Sequence, residues 1–147
     1  MASPVIQRRL IPLPTANNAV FVDSAFFIAL IREKDENHQR AVELMDSSKG
    51  CLLFTSDIVF SEVVTFLQRK DGSRKACAVV GLLLKSDIEI LYGGFDDFGE
   101  AISLMDNYDF LSFCDALSIV LANRNKTRKI LSFDGDFDKI KGIERVY

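Results

Sequence analysis

Ala19-Val20-Phe21-Val22-Asp23-Ser24-Ala25-Phe26-Phe27-Ile28-Ala29-Leu30 is the stretch that decides the fold. Its first third suits a packed, pleated strand, it turns on one carboxylate, and it continues with apolar residues at helical spacing. Asp23 followed by Ser24 can cap and open that helix, because a side-chain oxygen takes up free amide hydrogens of a first turn. A buried strand that hands an acid to a helix is the unit of an open α/β sheet, in which ligands bind at the carboxyl ends of the strands. Asp23 therefore stands where chemistry is usually done, while a plain helix cap would explain the same residue.

The rest of the chain repeats the unit. A polar break at Arg32-Glu33-Lys34-Asp35-Glu36-Asn37 separates the first helix from a second that carries Ala41, Leu44 and Met45. Cys51 to Thr55 reads as a second strand, and Ser56 or Asp57 caps a helix with Val59, Phe60, Val63, Val64, Phe66 and Leu67 on its buried faces. Glu62 lies inside that helix among apolar neighbours. Ser73 opens a helix through Leu84, Ile88 to Tyr92 form a third strand closed by Gly93-Gly94, and another helix runs from about Phe95 to Asn107. Asp115 falls in the first turn of the apolar helix after Phe110, and Lys129 to Asp134 repeats the order of strand then acid. Ile143 to Val146 adds a last strand. Strands apolar on both faces, alternating with helices, predict an α/β fold with a parallel sheet covered on both sides.

Composition narrows the class. The 147 residues, 48% hydrophobic and free of low-complexity tracts, are enough for one domain with a substantial core. That domain is expected over residues 19–147, after an extended arm at residues 1–18 that holds all 3 prolines. No apolar run approaches a membrane span and the N-terminus lacks the apolar core of a secretory signal, so a cytoplasmic location is expected. Cys51, Cys77 and Cys114 form neither a disulfide framework nor a thiolate zinc motif and are expected to be buried and reduced. His38, the only histidine, excludes histidine-rich zinc sites and reads as a surface helix residue.

Two motifs suggested by Asp134-Gly135-Asp136-Phe137-Asp138 fail. An EF-hand needs glycine and glutamate where Lys139 and Arg145 stand, and a phosphatase of the Asp-x-Asp-x-Thr type needs Thr or Val in place of Asp138. Phosphate-binding glycine loops of the Walker or Gly-x-Gly-x-x-Gly kind are absent as well.

Asp23, Glu62, Asp115 and Asp134 stand out because each interrupts apolar sequence. A buried ionised carboxylate costs several kcal/mol unless it is paired, protonated or ligated. No lysine or arginine is interleaved with these acids. If strand ends and helix starts bring them together, a divalent cation is their natural partner, and oxygen ligands select Mg²⁺ or Mn²⁺. A metal so held polarises a phosphoryl oxygen and lowers the pKa of bound water, as hydrolysis of a phosphodiester requires.

The order Phe21-Val22-Asp23-Ser24, Ser61-Glu62-Val63-Val64, Cys114-Asp115-Ala116-Leu117 and Ser132-Phe133-Asp134-Gly135-Asp136-Phe137-Asp138 resembles the PIN-domain family, in particular the VapC-like toxins of toxin–antitoxin pairs. The resemblance covers about residues 19–147 and implies a three-layer α/β/α fold with a central parallel sheet. It also implies a Mg²⁺- or Mn²⁺-dependent endoribonuclease in which Asp23, Glu62, Asp115 and Asp134 hold the metal, with Asp136 as a further or competing ligand beside Asp134. Ser132 replaces the threonine usual in the family and keeps its hydroxyl; Ser24 and Ser132 would orient ligands or waters behind the acids. An RNA substrate, a homodimer and an antitoxin whose C-terminal segment lies over the site follow from the same resemblance. A non-catalytic PIN-like module binding RNA or protein, or a solitary RNA-processing nuclease, is the alternative; structure-specific DNA cleavage is disfavoured by small size.

Net charge argues the other way, since −3 with a pI near 5.2 gives no general basic surface. Two divalent ions would bring the total to +1. Arg69-Lys70, Arg74-Lys75 and Lys126-Thr127-Arg128-Lys129 are the candidate phosphate contacts, each equally readable as a solvated helix end or loop.

Overall fold

A computed structural model describes residues 18–147, so the expected arm lies outside the described residues except for Asn18. The elements are β1 (Ala19–Val22), α1 (Ser24–Ile31), α2 (His38–Ser47), β2 (Leu52–Ser56), α3 (Asp57–Asp71), α4 (Ser73–Lys85), β3 (Glu89–Leu91), α5 (Phe95–Asn107), α6 (Phe113–Arg124), β4 (Lys129–Leu131), a 3-10 helix (Gly135–Lys139) and β5 (Glu144–Val146). The five strands form one sheet in the order β3-β2-β1-β4-β5, and every pairing is parallel. The architecture is the expected three-layer α/β/α.

β1 takes the centre because all of Ala19, Val20, Phe21 and Val22 are apolar and none needs water. From β1 the chain builds outward through β2 to β3, then crosses back to place β4 on the other flank. The reversal leaves a crevice at the carboxyl ends of β1 and β4, the topological switch point of the sheet. The register pairs Val22 with Leu131, and the Asp23 amide donates to the Leu131 carbonyl at 3.0 Å. Asp23 and Ser132 thus leave the sheet side by side.

α6 is apolar on nearly its whole circumference and buries a continuous run from Ala116 to Ala122, as a helix enclosed by its own domain must. α1 buries Phe26, Phe27 and Ala29, and α3 buries Val59, Val63 and Leu67 at successive turns. Capping follows the sequence reading: the Ser56 hydroxyl accepts from the Val59 amide at 3.2 Å and so selects Ser56 over Asp57.

α4 buries only Ala76 and leaves Leu82 and Leu84 in solvent, because it packs mainly on α3 and not on the sheet. Cys77, expected to be buried, is consequently exposed; Cys51 is half-buried and Cys114 alone is buried. His38 is likewise no simple surface residue. Its Nδ1 lies 2.9 Å from the Ala29 carbonyl, which can only accept, so the ring donates there and ties α2 to α1. Among the described residues no helix is long and apolar enough to cross a membrane.

Candidate active site

Asp23 is the N-cap of α1 and is 2% exposed. Its Oδ2 accepts from the Ala25 amide at 3.3 Å and from the Ser132 hydroxyl at 2.7 Å. Its Oδ1 is buried with no hydrogen-bond partner. Such an orphaned acceptor is rare in a protein interior and suits a cation or water as its partner. Burial pushes the Asp23 carboxyl up to about 7, and the charge of Asp115 adds to the rise against the lowering effect of Ser132.

Ser132 holds two acids. While it donates to Asp23, its oxygen accepts from the Asp134 amide at 3.0 Å. Ser24, expected with Ser132 to orient ligands or waters, is buried at the first position of α1, next to Asp23. Asp134 is not a strand residue: it caps the 3-10 helix, accepting from the Asp136 amide at 2.9 Å. Asp136, half-buried beside it, is ion-paired with Lys139 at 2.6 Å.

Asp115 sits at the third position of α6 in a capping box. The Ser112 hydroxyl lies 2.6 Å from Asp115 Oδ2 and 3.1 Å from the Asp115 amide, while the Ser112 amide donates to the same carboxylate at 3.2 Å. The carboxyl is pushed up by partial burial and by the charges of Asp134 and Glu62, against the Ser112 donors. Glu62, expected inside the core of α3, is exposed, because the helix turns this residue away from its buried stripe of Val59, Val63 and Leu67. The Cys114 thiol donates to Glu62 Oε2 at 3.2 Å. Burial, with Glu62 next to it, pushes that thiol far above the range of a reactive cysteine.

The four acids therefore form one electrostatic neighbourhood with Asp115 at its hub. None belongs to the ion pairs of the described residues, whose acids are Asp71, Glu43, Asp46, Asp97, Asp136 and Asp138. As they stand, no three metal-binding groups among the described residues converge tightly enough to hold an ion. The reason is visible in their hydrogen bonds. Asp115 is bonded to Ser112, Asp134 to the Asp136 amide and Glu62 to Cys114. Asp23 alone is pinned with a bare oxygen facing no donor. The donor set, all carboxylate oxygen with no competing cation bonded to it, fits a hard divalent ion in its chemistry.

Sequence reasoning missed Ser112 and Cys114. The first was legible, since Ser112-x-x-Asp115 has the capping-box spacing. The contact between Cys114 and Glu62 joins residues 52 apart and has no local signal.

Comparison with known proteins bears on the family and the fold. The family model described as PIN domain matches residues 20–143. The 23S rRNA-specific endonuclease VapC20 of Mycobacterium tuberculosis is 30% identical over 127 residues, covering 85% of this chain and 96% of that protein. The crystal structure of VapC20, described as a Sarcin-Ricin loop cleaving toxin, superimposes with a TM-score of 0.75 over 82% of this chain and 93% of that one. VapBC2 from Rickettsia felis, bound to a promoter DNA fragment, shares the fold with a TM-score of 0.66 at 14% identity, covering 87% of this chain and 97% of that one.

Proposed function

This chain belongs to the PIN-domain family, and from that membership we propose that it is a Mg²⁺- or Mn²⁺-dependent endoribonuclease, the toxin of a toxin–antitoxin pair. The observation that carries the reading is the orphaned Oδ1 of Asp23, buried at the switch point of the sheet and coupled to Asp115. A scaffold protein has no use for a carboxylate held in that state, which disfavours a non-catalytic binding module. Similarity to VapC20, itself named for 23S rRNA and the Sarcin-Ricin loop, supports RNA as the substrate. Likeness to the fold of a toxin–antitoxin complex from Klebsiella pneumoniae is compatible with a protein antitoxin as partner.

Asp23, Glu62, Asp115 and Asp134 would hold the metal, and Asp136, engaged by Lys139, would sit at the rim. When bound, the metal would supply an activated water and neutralise charge on the phosphoryl oxygens. The chain's own contribution is orientation. Ser132 fixes Asp23 and Asp134 together, Ser112 fixes Asp115, and the Cys114 thiol directs Glu62. Burial of Asp23 keeps bulk water from its inner oxygen and strengthens every charge interaction there.

The test is cleavage of total RNA, ribosomal RNA included, by the purified protein with Mg²⁺ or Mn²⁺, with EDTA, and with Asp23→Asn. Cleavage that needs the metal and vanishes in the variant is expected. Metal-independent cleavage, or equal cleavage by Asp23→Asn, overturns the reading.

A further inference from the structure

A groove of about 530 Å³ runs along one face of α3 and has Glu62, one of the four candidate acids, in its wall. Its wall is built from residues at successive helical turns, Ser61 and Glu62, then Thr65 and Phe66, then Arg69 and Lys70, with Cys114 beside Glu62 at the inner end. The groove is polar in a directional sense. One end presents a carboxylate of the candidate site, the middle presents hydroxyls and an aromatic ring, and the outer end presents two exposed cations.

Cations in the last turn of a helix are ordinary complements to its dipole. The surroundings of Arg69 and Lys70 go further. Asp71, the adjacent acid, is held by Arg32 at 3.3 Å, and the Arg32 guanidinium also lies 5.6 Å from the centroid of the Phe66 ring. Arg32 thereby draws the nearby negative charge away from the groove, and neither Arg69 nor Lys70 has an acid partner among the described residues. On the opposite side of the site the cations are spoken for: Lys139 pairs with Asp136 and Arg145 with Asp138. The basic cluster from Lys126 to Lys129 lies at the opposite end of the strands, where the Thr127 hydroxyl donates to the Ala19 carbonyl at the start of β1. Lys75 lines a separate cleft with Arg32, Glu33, Lys34 and Asp71.

Resting on the ribonuclease reading above, we infer that the α3 groove is the track of the single-stranded RNA beside the scissile bond, with Arg69 and Lys70 binding backbone phosphate. Glu62 and Arg69 are two helical turns apart, about 10 Å along the axis, so the cations meet a neighbouring nucleotide and not the one being cut. They are positioning residues, and their removal weakens substrate binding without changing the chemistry.

Arg69→Gln with Lys70→Gln keeps helix propensity at exposed positions, and Lys49→Gln with Lys85→Gln removes the same charge elsewhere. A labelled single-stranded RNA oligonucleotide of mixed sequence, titrated in EDTA at several salt concentrations, reads binding without cleavage. The groove variant should lose about tenfold in affinity, and its salt slope should fall by about 1.4, or 0.7 for each phosphate contact, while the control keeps the wild-type slope. With metal, the groove variant should raise KM and leave kcat within about twofold. An unchanged slope and KM in the groove variant, an equal loss in the control, or a wild type that binds no RNA overturns the proposal; the first outcome leaves the groove to a protein ligand. Failure of the nuclease reading is separate, since it appears as binding without metal-dependent cleavage.

Discussion

The hydroxyl of Ser132 donates to Oδ2 of Asp23 at 2.7 Å, joining residues 109 apart in sequence across the central pair of strands. The contact exists because β1 and β4 are in register to their last residues and leave the sheet together. Since Ser132 also accepts from the Asp134 amide, one hydroxyl sets the spacing of two acids.

Ser132→Ala removes both bonds at once. Cleavage should fall 10- to 100-fold, a typical effect for a group that orients a metal ligand. The bond from Ser132 lowers the Asp23 pKa, so its loss raises it, and the acid limb of the pH–rate profile should move to higher pH. Ser132→Thr keeps the hydroxyl and should recover most of the rate with the limb in place. A Thr variant as impaired as Ala would show that packing, not the hydroxyl, matters at this position.

The raised carboxyl of Asp23 gives the metal-free protein an inverted pH response. Below about pH 4 the group is protonated folded and unfolded alike; between the ordinary carboxyl value of 3.8 and about 7 only the folded chain keeps the proton. Stability contributed by this proton is lost as pH rises through that window, up to about 4 kcal/mol above it. Asp23→Asn should therefore leave Tm little changed at pH 4 and raise it at pH 8 by about 8 °C or more. Urea or thermal melts in EDTA across pH 4 to 8 measure the difference between the two proteins. Parallel curves would mean that Asp23 is not a buried acid in solution.

Much of this site was legible because its parts are local. Asp23, Asp115 and Asp134 each follow or begin an element that the hydrophobic pattern marks, so their positions at strand ends and helix starts can be read from neighbours. Glu62 shows where such reading stops: apolar residues flank it, yet its exposure depends on which face of α3 meets the sheet, a tertiary choice between two apolar stripes. The burial of the cysteines failed for a similar reason, since Cys77 sits on α4, which covers α3 and not the sheet. The Ser132–Asp23 and Cys114–Glu62 contacts come from strand order and helix packing, which a linear pattern does not encode. The basic clusters were equivalent in sequence, and only the fold separates Arg69-Lys70, beside the site, from Lys126 to Lys129 at the amino-terminal end of the central strands.

Association is the next expectation. α4 exposes Leu82 and Leu84, and α5 exposes Phe95, Phe98 and Ile102 at positions that share one face, near the exposed Tyr92. Apolar patches of this kind on a small chain mark interfaces. Light scattering should give twice the chain mass of 16.5 kDa. Ile102→Glu with Phe95→Glu, or Leu82→Glu with Leu84→Glu, should return it to a monomer, and the pair that does so locates the interface. A wild type that stays monomeric at high concentration refutes the dimer.

Asp115 separates a site residue from a cap. It is the hub of the acid cluster and its carboxyl is pushed up by burial and by Asp134 and Glu62, so at neutral pH its charge destabilises the metal-free fold. Asp115→Asn keeps the shape and an oxygen able to accept from Ser112, so the capping box survives. Removal of one negative charge should then raise the Tm of the metal-free protein by a few degrees, abolish RNA cleavage, and leave Mg²⁺ or Mn²⁺ with little effect on the melt. In the wild type the same metals should raise Tm in step with occupancy, since a ligand that binds only the folded chain stabilises it by mass action. If Asp115 serves only as a cap, Asn replaces it with nearly unchanged stability and the metal response persists. Melts of the two proteins with and without metal distinguish these cases, and an intact metal response in the variant would remove Asp115 from the site and leave three acids too few to account for the burial of Asp23.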